Sequence, residues 1–164
     1  MRLIVDGYNL LHAGRLVPQT DPAALQKGRE WLIDQLARYR QLKNCEITLV
    51  FDGWLGGPAA EKKERRKGID VIFTKLGETA DEAIKRLILG RGSGKIVVSS
   101  DRDLGRYAER MNATVVPSAL FLERSEATVS GVDDDVEEGE AKRKGPSKRL
   151  SKREKKLRGA LKKL

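Results

Sequence analysis

The 164-residue chain carries a single cysteine, Cys45, and a single histidine, His12. One thiol excludes an intramolecular disulfide and gives no reason to place the protein in an oxidising compartment. Cys45 and His12 are too few to build a zinc site. No apolar run approaches the ~18 residues of a membrane span. The opening MRLIVDGYN is too short in apolar length and too acidic for a signal peptide. A soluble, cytoplasmic protein with no membrane partner is expected. Aromatic residues are scarce at 5%, but hydrophobic residues reach 39%, enough for one core.

Charge is abundant and unevenly placed. Charged residues make up 35% of the chain, with a formal net charge of +9. Residues 1–132 carry only +4, residues 133–140 (DDDVEEGE) carry −6, and residues 141–164 carry +11. The basicity is mostly a property of the C-terminal segment and favours a polyanionic partner.

Short β-branched runs alternate with amphipathic stretches. Leu3-Ile4-Val5, Ile47–Phe51, Ile69–Thr74, Ile96–Ser99 and Thr114–Val116 read as strands. Each is nearly continuous in apolar character, as strands buried on both faces should be. A helix is expected from Asp21-Pro22 to about Lys43, with Asp21 as N-cap and Pro22 in the first turn. A second runs from Thr79 to about Leu89, where Thr79 and Glu82 form a capping-box pattern. A third follows the fourth strand, and 118–125 reads as a short last helix. This order predicts an α/β domain with a mostly parallel sheet of about five strands and helices on both faces. Residues 61–68 (EKKERRKG) read as an exposed segment. The domain is expected over 1–127, followed by an acidic, then basic, tail over 128–164 that is flexible or helical on binding. Leu150, Leu157, Leu161 and Leu164 would line one face of that helix.

In a parallel sheet the loops after the strands share one edge, where ligands bind. Asp6 ends the first strand, Asp52 the second, and Asp101 follows the fourth. Asp81 lies in the first turn of the helix after the third strand and belongs to the same edge. At about 100° per residue, Asp81 sits a quarter-turn from the buried face centred on Ala80, Ile84 and Leu87, whereas Glu82 points away. Singly, each aspartate suits a turn or a helix cap. Four together repel unless a cation holds them, and a hard ion with oxygen ligands, Mg²⁺ or Mn²⁺, is the economical answer. Other chemistry fits less well. The segment GRGSGK at 90–95 precedes a strand instead of linking a strand to a helix, so it is no phosphate loop.

The segments LIVDGYNLLHA (3–13), LVFDG (49–53), VIFTKLGETADEAIKRL (71–87) and VVSSDRDL (97–104) resemble the YacP-like NYN-domain family of PIN-like ribonucleases. The likeness covers residues 2–125 and leaves the charged tail outside. It implies a three-layer α/β/α PIN-like (Rossmann-like) fold. It also implies a metal-dependent endoribonuclease with Asp6, Asp81 and Asp101 at its centre, Asp52 and Asp103 as further members of the acidic set, and Asn9 at the family's signature position. Ribosome-associated mRNA is the substrate the resemblance suggests. The products would carry a 5′-phosphate and a 3′-hydroxyl. A PIN-like domain without catalysis, acting purely as an RNA- or ribosome-binding module, is the alternative; the retained acidic set argues against it.

Substrate contacts follow from position. Tyr8 and Trp54 lie just past the first two strands, where they would stack on unpaired bases or, for Trp54, pack under a loop. Lys62, Lys63, Arg65 and Arg66 would track phosphates, and Lys142, Arg143 and Lys144 open the strongest electrostatic segment.

Overall fold

A computed structural model describes residues 1–14, 21–53, 58–90, 92, 94–131 and 151–164. Its elements run β1 (Arg2–Asp6), α1 (Gly7–Ala13), α2 (Pro22–Lys43), β2 (Glu46–Phe51), β3 (Lys62–Arg66), β4 (Ile69–Phe73), α3 (Ala80–Leu89), β5 (Lys95–Val98), α4 (Arg102–Arg110), β6 (Thr114–Val116), α5 (Ser118–Ser130) and α6 (Lys152–Leu161). The sheet order is β3-β4-β2-β1-β5-β6. All pairs are parallel except β3 with β4.

Strand residues alternate between two cores. Leu3 and Val5 of β1, with Ile47, Leu49 and Phe51 of β2, face a layer built by α1, α2, α5 and α6. Ile4, Val50, Ile72 and Val97 face α3 and α4. Both sheet faces are covered, which is why the strands read as continuous apolar runs. Chain order leaves β1 in opposite directions, through β2 to β4 on one side and through β5 to β6 on the other. The carboxyl end of β1 is therefore the topological switch point, and Asp6 stands on it.

Four departures from the sequence reading have physical causes. Residues 62–66 are not an irregular segment but a sixth strand, pairing antiparallel at the sheet edge. Its charged sequence, KKERR, suits an edge that must not recruit another strand. Second, β1 passes straight into α1, with the Asp6 side chain accepting the Asn9 N–H as N-cap. A Cβ on Gly7 would lie 2.5 Å from the Phe51 ring and 2.9 Å from the Val50 carbonyl, so only glycine lets α1 start this close to β2. Third, α5 continues to Ser130, so the boundary expected at 127 falls inside a helix.

The fourth departure is the largest. The expected free tail ends in α6, a capped helix seated on the fold. Ala160 and Leu164 are 5% and 3% exposed, and Leu157 and Leu161 pack against the same core. The buried Tyr39 hydroxyl donates to the Leu164 carbonyl at 2.8 Å. Glu109 of α4 pairs with Arg153 at 2.7 Å. Lys95, the last residue of GRGSGK, turns inward and donates to the Ile88 carbonyl at 2.6 Å and to that of Gly90, closing the C-terminal end of α3.

These contacts make the C-terminal helix a stability element. Truncation after Gly131 should destabilise the fold by on the order of 4 kcal/mol from the apolar contacts of Ala160, Leu164, Leu157 and Leu161 alone. Urea unfolding of full-length and truncated chains checks this, and an unchanged midpoint would contradict it.

Candidate active site

The edge holding the carboxyl ends of β1, β2, β4 and β5 opens into a cleft of about 1030 Å³. Asp6, Asp52, Asp81 and Asp101 line it, together with Tyr8, Asn9, Arg29, Lys62 and Phe73. Four of the five carboxylates expected from the sequence are thus brought together from segments up to 95 residues apart.

Each carboxylate is held by a different local device. Asp6 caps α1 through the Asn9 N–H (3.2 Å) and accepts from the Ser99 hydroxyl at 3.3 Å. Asp101 caps α4, its Oδ1 accepting the Asp103 and Leu104 N–H groups at 2.8 Å each. The Asp101 N–H donates to the Ser99 hydroxyl at 3.1 Å, so one serine braces both acids. Asp52 Oδ2 accepts the Ala80 N–H at 3.3 Å, tying the end of β2 to the start of α3. The buried Thr74 reinforces that corner: its Oγ1 accepts the Gly53 N–H and donates to the Glu78 carbonyl, both at 2.7 Å.

Asp81 and Glu82 separate as the helix register predicts. Glu82 completes the capping box with Thr79 and is exposed to solvent. Asp81 lines the cleft; its Oδ2 pairs with Lys85 at 2.6 Å, while its Oδ1 is buried without a hydrogen-bond partner.

Asn9 acts mainly through its neighbours. Its Oδ1 accepts from the Ser100 N–H at 2.9 Å and the Ser118 hydroxyl at 2.7 Å. The Ser118 N–H in turn donates to the Ser100 hydroxyl at 3.1 Å. Asn9 thus fixes the loop that delivers Asp101 by clamping it between α1 and α5. Ser99 and Ser100 are visible in the sequence as the pair preceding Asp101. Ser118 carries no sequence signal, because it lies 109 residues from its partner Asn9.

Other expected site residues fall elsewhere. Asp103 is not in the cleft: its side chain is 82% exposed and pairs with Arg106 at 2.7 Å, pointing along the outside of α4. Lys63, Arg65 and Arg66 lie on the edge strand and are matched to Glu61, Asp70 and Glu30; Lys62 lines the cleft and pairs with Glu64 at 3.0 Å. Tyr8 lines the cleft but packs edge-to-face on Phe51, 5.3 Å between ring centres. Trp54, Lys142, Arg143 and Lys144 lie outside the described residues.

The electrostatics single out Asp6. Burial pushes its carboxyl up to about 6 from an ordinary 3.8. The Asn9 N–H and the Ser99 hydroxyl oppose that rise, and repulsion from Asp81 and Asp101 adds to it. The donors facing the cleft are carboxylate oxygens, the chemistry a hard cation selects. Among the described residues, no three or more His, Cys, Asp or Glu side chains close into a ready-made metal cluster. The unpartnered Asp81 Oδ1 and the mutual repulsion felt at Asp6 fit an ion held largely through water, as Mg²⁺ commonly is.

A three-layer α/β/α sheet with a carboxylate-lined cleft at its switch point is the architecture of a PIN-like domain. The family model described as "YacP-like NYN domain" matches residues 3–163, and the chain belongs to that family. The match runs through α6, well past the residues that carry the sequence likeness. The chain is 36% identical over 85 residues to a protein of Bacillus subtilis named "Uncharacterized protein YacP". That alignment spans 52% of this chain and 49% of the relative, about half its length. Two crystal structures of Rae1 (YacP) from Bacillus subtilis, one of them a point mutant, are similar at 26% identity. Their TM-scores are 0.65 for the mutant and 0.64, covering 80% of this chain and 78% and 77% of theirs.

The raised Asp6 pKa sets a stability signature. The folded state holds this proton more tightly than the unfolded chain, so ionised Asp6 costs stability. The cost is absent below about pH 4, grows as the pH rises towards 6, and is full above it, at up to about 3 kcal/mol. Asp6→Asn keeps an acceptor for the Asn9 N–H and removes the charge. In metal-free buffer the variant should be more stable than the native chain at pH 7.5, with the gain vanishing at pH 4. Urea unfolding at both pH values checks this; an equal difference at the two would contradict it.

Proposed function

We propose that the chain is a metal-dependent endoribonuclease that hydrolyses phosphodiester bonds in single-stranded RNA. The observation that carries this reading is the convergence of Asp6, Asp81 and Asp101 on one cleft at the switch point, with one Asp81 oxygen buried and unpartnered. Membership of the YacP-like NYN family supports it.

Asp6, Asp81 and Asp101 would hold Mg²⁺ or Mn²⁺, with Asp52 behind them on the α3 corner. Bound there, such an ion would offset phosphate charge and make water a better nucleophile at neutral pH. The chain's own part is positional. Ser99 and the α1 and α4 N-termini fix the Asp6 and Asp101 carboxylates before substrate arrives. Asn9 holds the Asp101 loop, and Lys85 pairs with Asp81 Oδ2 at 2.6 Å, leaving Oδ1 as the oxygen a cation would take.

The partner would be RNA, and ribosome-associated mRNA is the narrower substrate. The exposed basic residues of α6, Lys152, Lys155 and Arg158 among them, and Lys162 at its C-cap extend this reading, since a packed helix presents them as a fixed face instead of a loose tail. The 142–144 lysine–arginine cluster would add further positive charge.

Cleavage of a single-stranded RNA by highly purified protein tests the reading. Activity should require Mg²⁺ or Mn²⁺, stop with EDTA, and yield 5′-phosphate ends. Asp6→Asn, Asp81→Asn and Asp101→Asn should each lose about a hundredfold or more, the scale of removing a preorganised charge from a site. Glu82→Gln keeps its cap and should stay within about threefold of native. Metal-independent cleavage, or equal losses at positions 81 and 82, would contradict the assignment. RNA binding without any cleavage would mark the chain as a binding module.

A further inference from the structure

Arg29 of α2 lines the cleft outside the acidic centre and, unlike Lys62, which pairs with Glu64 at 3.0 Å, is not held by a carboxylate among the described residues. Its guanidinium carbon lies 5.3 Å from the Tyr8 ring centre, 5.7 Å from that of Phe51 and 5.8 Å from that of Phe73. One terminal nitrogen donates to the Tyr8 hydroxyl. The other reaches Gln26 Oε1 only at 3.4 Å, and the buried Nε has no partner. Three of the five N–H donors of an arginine are thus without a protein acceptor. Among the described residues Arg29 makes no ion pair, whereas Glu30, next to it on α2, is held by Arg66.

This is an unusual place to leave a cation. Ring faces attract a guanidinium but replace little of the water it has lost. The planar head is locked by three rings and one hydroxyl, so an incoming oxyanion meets donors already oriented. The same cleft carries four carboxylates, which repel a polyanion. Arg29 lies beyond ion-pair distance of all four, so the phosphate it suits is not the one at the acidic centre. At about 1030 Å³ the cleft is at the upper end of the range for small-molecule sites and has room for more than the scissile group.

We propose that Arg29, locked on Tyr8, Phe51 and Phe73, is a backbone-phosphate subsite that positions the RNA strand by a phosphodiester flanking the scissile one. Tyr8 then contributes its hydroxyl to orienting Arg29, with base stacking on its ring a lesser role. The inference rests on the ribonuclease reading and names a positioning residue within it.

The test is a binding titration of a single-stranded oligoribonucleotide at several salt concentrations with Mg²⁺ present. It uses full-length chains carrying Asp101→Asn, so that nothing is cleaved. Adding Arg29→Met should weaken binding about tenfold, the scale of one hydrogen-bonded charge. It should also flatten the slope of log affinity against log salt by about 0.7, one phosphate contact on a single strand. Arg29→Lys should lose affinity but keep the slope, because it retains the charge and not the planar fork. In the cleaving chain, Arg29→Met should act mainly on KM, with kcat falling less than threefold. Thermal unfolding reports whether each variant folds; if Arg29→Met does not, Arg29→Gln takes its place and the same slope decides. A folded, uncharged variant with native affinity and native slope would overturn the subsite. No RNA binding by the Asp101→Asn chain itself would overturn the nuclease reading and, with it, the subsite.

Discussion

A carboxylate at the end of the central strand, half inside the protein and facing two more, is the constraint around which this molecule is arranged. Burial alone raises the Asp6 pKa, and Asp81 and Asp101 raise it further. The fold tolerates this because two donors, the Asn9 N–H and the Ser99 hydroxyl, are aimed at the charge from the segments after β1 and β5. Those segments diverge at the switch point, so the sheet itself opens the space into which the acids project. The acids repel one another across the cleft, and a cation bound there would relieve that repulsion. That is the usual relation between a functional site and the stability it costs.

The rest of the structure brings the remaining groups to that point. Gly7 admits α1 against Phe51, which starts the helix carrying Tyr8 and Asn9. Phe51 then stacks on Phe73, 5.5 Å between ring centres, and the pair forms the bed for Arg29. Thr74 and Asp52 lock the entry of α3, and with it Asp81. One wall of the cleft is therefore acidic and hydrogen-bonded, while another is aromatic and carries a cation. On the proposed reading a nucleic-acid strand would use both walls: the arginine would meet a backbone phosphate, and a cation held by the acids would offset the charge of another.

Much of this was legible in the residues. Five strands, the long α2 with its Asp21 cap, and the Thr79–Glu82 box follow from apolar runs and capping chemistry, and the structure has them. The split between Asp81 and Glu82 followed from helical register alone. What stayed hidden has identifiable causes. An edge strand of five charged or basic residues has no alternation to betray it, because pairing with β4 and its ion pairs sustain it. The spacing of Leu157, Leu161 and Leu164 was visible in the sequence. The surrounding lysines argued for a partner outside the chain, whereas the partner is the fold's own core around Tyr39. Asp103 stands two residues after Asp101 in the same segment and points elsewhere: Asp101 is the extended N-cap turned into the cleft, while Asp103 lies in the first turn of α4 and pairs with Arg106 on its outside. Arg29 and Ser118 depend on contacts between distant segments, which local patterns do not encode.

The central claim is that Asp6, Asp81 and Asp101 act as one cation-holding set. A crystal structure of the full-length chain soaked in Mn²⁺, with anomalous data, tests it most directly. The account predicts an anomalous peak in the cleft bounded by these three carboxylates, lost in Asp81→Asn crystals soaked identically. A cleft without a peak at an Mn²⁺ concentration that supports RNA cleavage, or a peak that persists unchanged in the variant, would contradict it.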